Sequence, residues 1–317
     1  MNNPFPSNVT GLNGAPVPEL HSSRFISRVI ESANEEFSAA GTSCRIVLFV
    51  APNFSHRHPQ PAFDPPNSPT ALIVLADERE VFDPRLLPAG YTVFKAYSDA
   101  TLKQGTANAF PVGYFDAVAD AEGKEFSERS LDLAFTGYLN RNRVDLLKQF
   151  HPVPWLPERN IPGAAFREMA RRIASKTIAA RDFSHVYPAS RIGFTDGFGK
   201  GLAPAEYARQ LGDTRISICP PGFVSNETIR HWESMKLGCV IISAPLPPSR
   251  FYRGSPMIIL EDWSRLRHVI DDLLDDPEEL LVRHRAMVQW WNEICSERAA
   301  GSYLARTMIR QIHRAAS

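Results

Sequence analysis

The sequence predicts an α/β protein made of two strand-and-helix units. Continuous apolar runs of strand length, RIVLFV at Arg45–Val50, ALIVLA at Ala71–Ala76 and CVIIS at Cys239–Ser243, read as strands buried on both faces, as in parallel sheets. One-faced helical spacings alternate with them, which is the pattern of α/β layers. At roughly 100–200 residues per domain, the 317 residues suit two.

Composition narrows the class. Apolar residues are 44% and charged residues 22%, ordinary for a soluble globular chain and too mixed for a disordered, collagenous or multi-span membrane protein. Thirty-five basic residues balance 35 acidic ones, so there is no broad basic surface and no nucleic-acid partner is expected. Prolines outnumber glycines, 26 to 18, which predicts short, stiffened loops. Cys44, Cys219, Cys239 and Cys295 form no CxxC pair and read as buried, reduced thiols. Met1 to Glu19 lacks a basic start and an apolar stretch, so it reads as a loose arm and not as a secretory signal. A cytoplasmic setting is the expectation.

In chain order, Ser22–Phe37 places Phe25, Ile26, Val29, Ile30, Ala33 and Phe37 on one helical face, ended by Gly41. Strands are predicted at Arg45–Val50, Ala71–Ala76, Thr92–Tyr97 and Asn108–Val112, with a proline-rich loop over 52–69. The polar stretch Asp120–Ser130 reads as the join. Beyond it come a strand at Leu131–Thr136, a loop at Gly137–Asn142 and helices at Arg143–Phe150 and Ala164–Ala180. Strands at Arg215–Cys219, Cys239–Ser243 and Met257–Leu260 follow, with helices at Asn226–Leu237, Trp263–Leu274, Pro277–Trp291 and Glu297–Arg314.

The most informative segment is Arg215–Ser243, RISICPPGFVSNETIRHWESMKLGCVIIS. A strand ends at Cys219, turns through Pro220-Pro221-Gly222, and feeds a helix with Ser225 or Asn226 as its N-cap. Such a turn aims backbone N–H groups and the positive end of a helix dipole at one point, which suits phosphate. Arg230 and Glu233, three apart, share a helix face. An arginine there suits a phosphate, and a carboxylate suits sugar hydroxyls; an ordinary surface ion pair is the plainer alternative.

The run from Arg230 to Val240, RHWESMKLGCV, resembles the R-x-x-E-[AS]-x-x-x-G-C segment of exostosin-like (family 47) glycosyltransferases, and more broadly the donor-binding segment of GT-B glycosyltransferases. Upstream, Glu206–Leu211 and RISICPPG are similar to that family's Y-x-x-x-L and F-x-L-C-P-x-G runs, and Asp262-Trp263 to its D-W. The resemblance spans Pro204–Leu274, under a quarter of the chain; the family often has proline where Ile241 stands here.

The resemblance implies two Rossmann-like domains facing a cleft, the GT-B architecture. On this reading residues 1–20 are a flexible arm, 21–128 the acceptor domain, 129–295 the nucleotide-sugar donor domain, and 296–317 a helix crossing back to the first domain. It implies transfer of a sugar from a nucleotide-diphosphate sugar to a hydroxyl of a glycan, lipid-linked or related acceptor. Glu233 resembles the acidic residue that binds the donor's hydroxyls. Pro221, Gly222, Ser225 and Asn226 fall at the diphosphate loop, and Arg230 near the phosphates. A non-catalytic nucleotide- or carbohydrate-binding protein on the same fold is the alternative.

Other residues suit the same picture. Gly137, Tyr138, Asn140, Arg141 and Arg143 form the first strand-to-helix loop of the second unit, where Gly137 permits close approach and the arginines suit a diphosphate. Lys200, in the glycine-rich Gly197–Gly201, suits a phosphate too. No Asp-x-Asp pair occurs, so no metal and no cofactor is expected, and the leaving diphosphate is left to cationic side chains. An inverting reaction needs a general base; Asp77, at the end of ALIVLA, leads the candidates, followed by Asp116 and His58, with His56 and Glu78 also at loops. Trp290-Trp291 reads as packing or as a sugar platform. The last helix, amphipathic with Arg298, Arg306, Arg310 and Arg314, reads as packing across the join or as peripheral contact with an anionic membrane.

Overall fold

The computed structural model describes residues 4–17, 20–51, 60–150, 163, 166, 169, 186–195, 197 and 200–316. The chain divides into two compact units, Met1–Ala119 with Pro247–Ser255 and Trp290–Ser317, and Asp120–Leu246 with Pro256–Gln289.

The first unit holds a parallel five-stranded sheet in sequential order: β1 (Val9–Gly11), β2 (Arg45–Val50), β3 (Thr70–Leu75), β4 (Tyr91–Lys95) and β5 (Asn108–Ala109). β3 is buried along its whole length and β2 along most of it, which is why both read as continuous apolar runs. On one face Phe49, Phe63 and Phe82 meet edge-on or tilted, with centroids 5.5–5.9 Å apart. Helix α1 (Ser23–Ala39) buries the predicted stripe of Phe25, Ile26, Val29, Ile30, Ala33 and Phe37.

Residues 1–20, expected as a flexible arm, instead contribute β1, paired in parallel with β2 from Val9↔Ile46 to Gly11↔Leu48. Asn8 anchors it, its amide donating to Asn34 Oδ1 (2.9 Å) and the Cys44 carbonyl (3.1 Å). Three residues between prolines are too short to register as a periodic run.

The second unit also has a parallel five-stranded sheet, in the order β10-β9-β8-β6-β7. Its strands are β6 (Leu131–Tyr138), β7 (Ser190–Thr195), β8 (Thr214–Cys219), β9 (Val240–Ser243) and β10 (Ile258–Ile259). The chain leaves β6 toward β7 on one side and then returns past it to build β8, β9 and β10 on the other. The carboxyl ends of β6 and β8 therefore flank a topological switch point, where open α/β sheets bind ligands.

The other α-helices among the described residues include α2 (Asp99–Lys103), α3 (Val144–Phe150), α4 (Pro204–Gly212), α5 (Ile229–Lys236), α6 (Leu266–Asp275), α7 (Pro277–Trp290) and α8 (Glu297–Ala316). The expected helix at Ala164–Ala180 lies almost wholly outside the described residues. The polar join conceals a buried arginine. Arg129, 3% exposed, donates to the carbonyls of Thr214 (2.6 Å), Leu237 (2.6 Å), Gly238 (3.3 Å) and Lys124 (3.1 Å), and so caps the end of α5.

All four cysteines are buried and free. Trp291 is buried against Tyr114, with centroids 6.2 Å apart, and the Trp290 indole donates to the Phe251 carbonyl at 3.0 Å, so both serve packing in the first unit. Among the described residues no helix is long and apolar enough to cross a membrane.

The last helix returns to the first unit, as expected. α8 buries Ala300, Leu304, Ala305 and Met308 and packs along α1, leaving Arg298, Arg306, Arg310 and Arg314 exposed. Its apolar face is thus taken up by protein, and a membrane contact would rest on the arginines alone. The two helices touch most closely at Gly301, where a Cβ would strike the Val29 carbonyl oxygen and come within 2.7 Å of Ser32 Cβ. Helix propensity alone favours Gly301→Ala by about 1 kcal/mol. Overpacking against backbone costs about 1–3 kcal/mol and should win, so urea titration is expected to show a net loss of stability; a gain would mean the helices can part freely.

Candidate functional site

The site assembles at the switch point of the second unit. β6 ends in Gly137-Tyr138, and the Asn140 side chain accepts from the Asn142 N–H (2.9 Å), capping a single 3₁₀ turn over Arg141–Arg143. This turn drives Arg143 inward. Its Nε donates to the Pro221 carbonyl (2.9 Å) and its Nη1 to the Tyr138 carbonyl (2.8 Å). The Asn142 amide donates to the Gly222 carbonyl (2.8 Å), so the loops after β6 and β8 are tied together.

Arg230 arrives from α5. Its Nη1 donates to the Tyr207 hydroxyl (3.0 Å) and its Nη2 to the Thr136 carbonyl. The guanidinium carbons of Arg230 and Arg143 lie 5.0 and 5.6 Å from the Phe135 ring centroid, within cation–π range. Gly137 makes room for both: a Cβ there would sit 2.9 Å from Arg143 Nη1 and 3.1 Å from Arg230 Nη2. Two like charges thus meet at one glycine. Burial, and then the charge of Arg230, pull Arg143 down to about 9, so it stays charged at neutral pH. An anion placed against the pair relieves both penalties.

Glu233, 3% exposed, stands one helical turn beyond Arg230. Burial, with the nearby Glu233 charge, pushes the Tyr207 hydroxyl well above its usual range despite the opposing pull of Arg230. Tyr207 therefore keeps its proton at neutral pH.

The β8–α5 loop differs from expectation. The helix begins at Ile229 with Thr228 as N-cap, not at Asn226. Ser225 and Asn226 are good capping residues spent elsewhere: Ser225 Oγ accepts from the Glu227 N–H (3.1 Å) and the Asn226 amide donates to the Pro245 carbonyl (2.8 Å). The Gly222 N–H donates to the Ser225 carbonyl at 2.7 Å. That turn needs glycine, since a Cβ would lie 2.9 Å from Ser225 O.

Three residues the sequence left without a role complete the site. Phe135 is the surface against which both arginines lie, Tyr207 holds Arg230 through its hydroxyl and ring, and His231 pins the start of α5. His231 Nδ1 lies 3.2 Å from the Thr228 N–H, and Nε2 lies 2.8 Å from Ser243 Oγ, whose hydroxyl donates to the Ala244 carbonyl. These partners fit a neutral ring with its proton on Nε2. A capping pair Thr-x-x-His, in place of the usual Thr-x-x-Glu, was the signal in the sequence.

The remaining candidates are not drawn into this cluster. Lys200 is exposed on the loop after β7. Arg141 lies over the half-exposed Phe223, 5.8 Å from its centroid. His56 and His58 lie outside the described residues.

Asp77 is 2% exposed and takes a structural place. Its carboxylate accepts from the N–H groups of Val81 (3.0 Å) and Phe82 (3.1 Å) and pairs with the fully buried Lys95 (3.2 Å). Asp116 accepts from Ser23 Oγ (2.6 Å) and the Arg24 N–H (2.9 Å), capping α1. Both carboxylates, Asp77 at a strand end and Asp116 in a loop, are occupied by backbone donors. Among the described residues no three His, Cys, Asp or Glu side chains gather as a metal site.

No protein-family model and no curated protein matches the chain. Among solved structures it is similar to the DNA-modifying enzyme β-glucosyltransferase, solved with and without its substrate uridine diphosphoglucose. The identity is 11% and the TM-score 0.47, covering 95% of this chain and 98% of that one. It is also similar to TarM, at 11% identity and a TM-score of 0.33, covering 84% of this chain and 51% of TarM.

Burial lowers His231 to about 4. Between the unfolded value near 6.5 and that figure, the unfolded chain takes up a proton that the folded one refuses. The contribution is complete above pH 6.5 and is lost as pH falls through 4, by up to about 3 kcal/mol. Denaturant titrations across pH 4–7 should show a shallower decline for His231→Gln than for the unaltered chain; equal slopes would contradict the buried neutral ring.

Proposed function

We propose that the chain is a glycosyltransferase of the GT-B kind, moving a sugar from a nucleotide-diphosphate sugar to a hydroxyl of a glycan or related acceptor. The observation that carries the reading is the convergence of Arg143 and Arg230 at Gly137, with the buried carboxylate of Glu233 alongside, at the switch point of a parallel sheet. Departure of a nucleoside diphosphate leaves negative charge on phosphate oxygens, and two fixed guanidinium groups in a buried setting stabilise it without reorganising. Glu233 accepts from hydroxyls of the ribose or the transferred sugar. The resemblance of the Arg230–Val240 run to exostosin-like glycosyltransferases supports the same assignment. On this reading transfer is metal-independent, because the arginines take the role a cation would have, and it proceeds with inversion.

A thermal-shift screen tests the reading. At about 100 times Kd a ligand stabilises by about 2.7 kcal/mol, so the matching nucleoside diphosphate or its sugar should raise Tm by several degrees. Glu233→Ala should fold yet lose donor binding and transfer. Binding without transfer or donor hydrolysis would favour a non-catalytic binding protein. A shift with NAD(P)H and none with nucleoside diphosphates would favour an oxidoreductase and overturn the proposal.

A further inference from the structure

Arg230 and Glu233 face a problem of their own making. Three residues apart on one helix, they are natural ion-pair partners, and in a buried setting their attraction is strong. A direct pair would neutralise the guanidinium just where an anion is to bind, and would occupy the carboxylate.

The structure shows what stands between them. Arg230 is drawn back to the Thr136 carbonyl and over Phe135, and its other nitrogen donates to the Tyr207 hydroxyl at 3.0 Å. The Tyr207 ring also lies under the guanidinium, with its centroid 5.6 Å from the guanidinium carbon. The carboxylate of Glu233 acts on the same hydroxyl from nearby, its charge adding to burial in raising the hydroxyl's hold on its proton. Tyr207 projects from α4, a different helix from the one that carries the charges, so its position is set independently of theirs.

We infer that Tyr207 is a positioning residue: its hydroxyl and ring hold the Arg230 charge toward the anion site and away from Glu233. The inference rests on the anion site proposed above and deepens it. Tyr207 touches neither phosphate nor sugar in this scheme; it acts through Arg230. Without the hydroxyl, Arg230 swings onto Glu233 and the site loses one of its two charges. Removing the Glu233 charge as well should then release the arginine, an outcome that loss of packing alone would not produce.

The probe is inorganic pyrophosphate, titrated by calorimetry, because it reports the charge site without depending on the base or sugar. Tyr207→Phe keeps the ring, so its Tm should match the unaltered chain, yet its pyrophosphate affinity should fall about tenfold, the scale of a lost hydrogen bond to a charged group. Tyr207→Phe with Glu233→Gln should recover affinity to within about twofold of the unaltered chain. Glu233→Gln alone should change it by no more than about threefold, since the charges are already held apart.

Unaltered affinity in Tyr207→Phe, or no recovery in the double variant, would overturn the inference and leave the proposed function standing. If Tyr207→Phe fails to fold, Glu233→Gln alone decides: tightening of about tenfold or more would mean that the pair is already formed. Failure of the unaltered chain to bind either pyrophosphate or any nucleoside diphosphate would overturn the site and this inference together.

Discussion

Two guanidinium groups held against one phenyl ring are the constraint on which the second unit is built. Like charges in a buried place repel, and each carries a desolvation cost. The fold offsets this with backbone carbonyls from Thr136, Tyr138 and Pro221, the face of Phe135, and the empty side of Gly137. Every one of these depends on strand register. β6 pairs with β8 from Leu131↔Thr214 to Ala134↔Ser217, which brings the loops after both strands to the same edge. α5 is then fixed at both ends, by Thr228 and His231 at its start and by Arg129 on the Leu237 carbonyl at its finish. The Ser217–Ser234 hydroxyl contact, 2.7 Å, ties its middle to β8. A helix held at three points can carry a charge whose position matters.

The first unit shows a comparable concentration of constraint around Lys95. Its ammonium group, fully buried at the end of β4, donates to the carbonyls of Asp77, Ala96 and Tyr97 and pairs with the Asp77 carboxylate. Ala76, Glu80 and Tyr97 have left-handed backbones (φ 60°, 50° and 53°) in the same turns. Such conformations cost about 1–3 kcal/mol each where the residue is not glycine, and they persist because the buried pair and its hydrogen bonds dictate the turns. This explains why Asp77, at the carboxyl edge of the sheet, is a structural residue.

How legible the molecule was in its sequence follows from what each feature depends on. Arg45–Val50 and Ala71–Ala76 were readable because burial on both faces leaves an unbroken apolar run; the strand itself spans Thr70–Leu75, with Ala76 already in the turn. β1 was not, because three residues carry no period. Arg143, Gly137, Arg230 and Glu233 stood out because the chemistry of a phosphate site asks for those residue types after parallel strands. The start of α5 was misplaced because Ser225 and Asn226 have the right chemistry for a cap, and only the tertiary fold shows that their side chains are engaged elsewhere. The return of Pro247–Ser255 to the first unit has no local signature either. It depends on Phe251 and Arg250 finding Tyr303, half a hundred residues on.

The central claim is that the two guanidinium groups at Gly137 form one anion site, and substitution of that glycine addresses it directly. The backbone at Gly137 is not left-handed, so alanine fits the chain, and its Cβ meets side chains alone: the ends of Arg143 and Arg230 and, at 3.2 Å, the Phe135 ring. Calorimetric titration of Gly137→Ala with pyrophosphate should therefore show affinity reduced about tenfold or more, the scale of one charged hydrogen bond lost, with Tm unchanged. Affinity equal to that of the unaltered chain would show that the arginines are ordinary structural residues and that the anion site lies elsewhere.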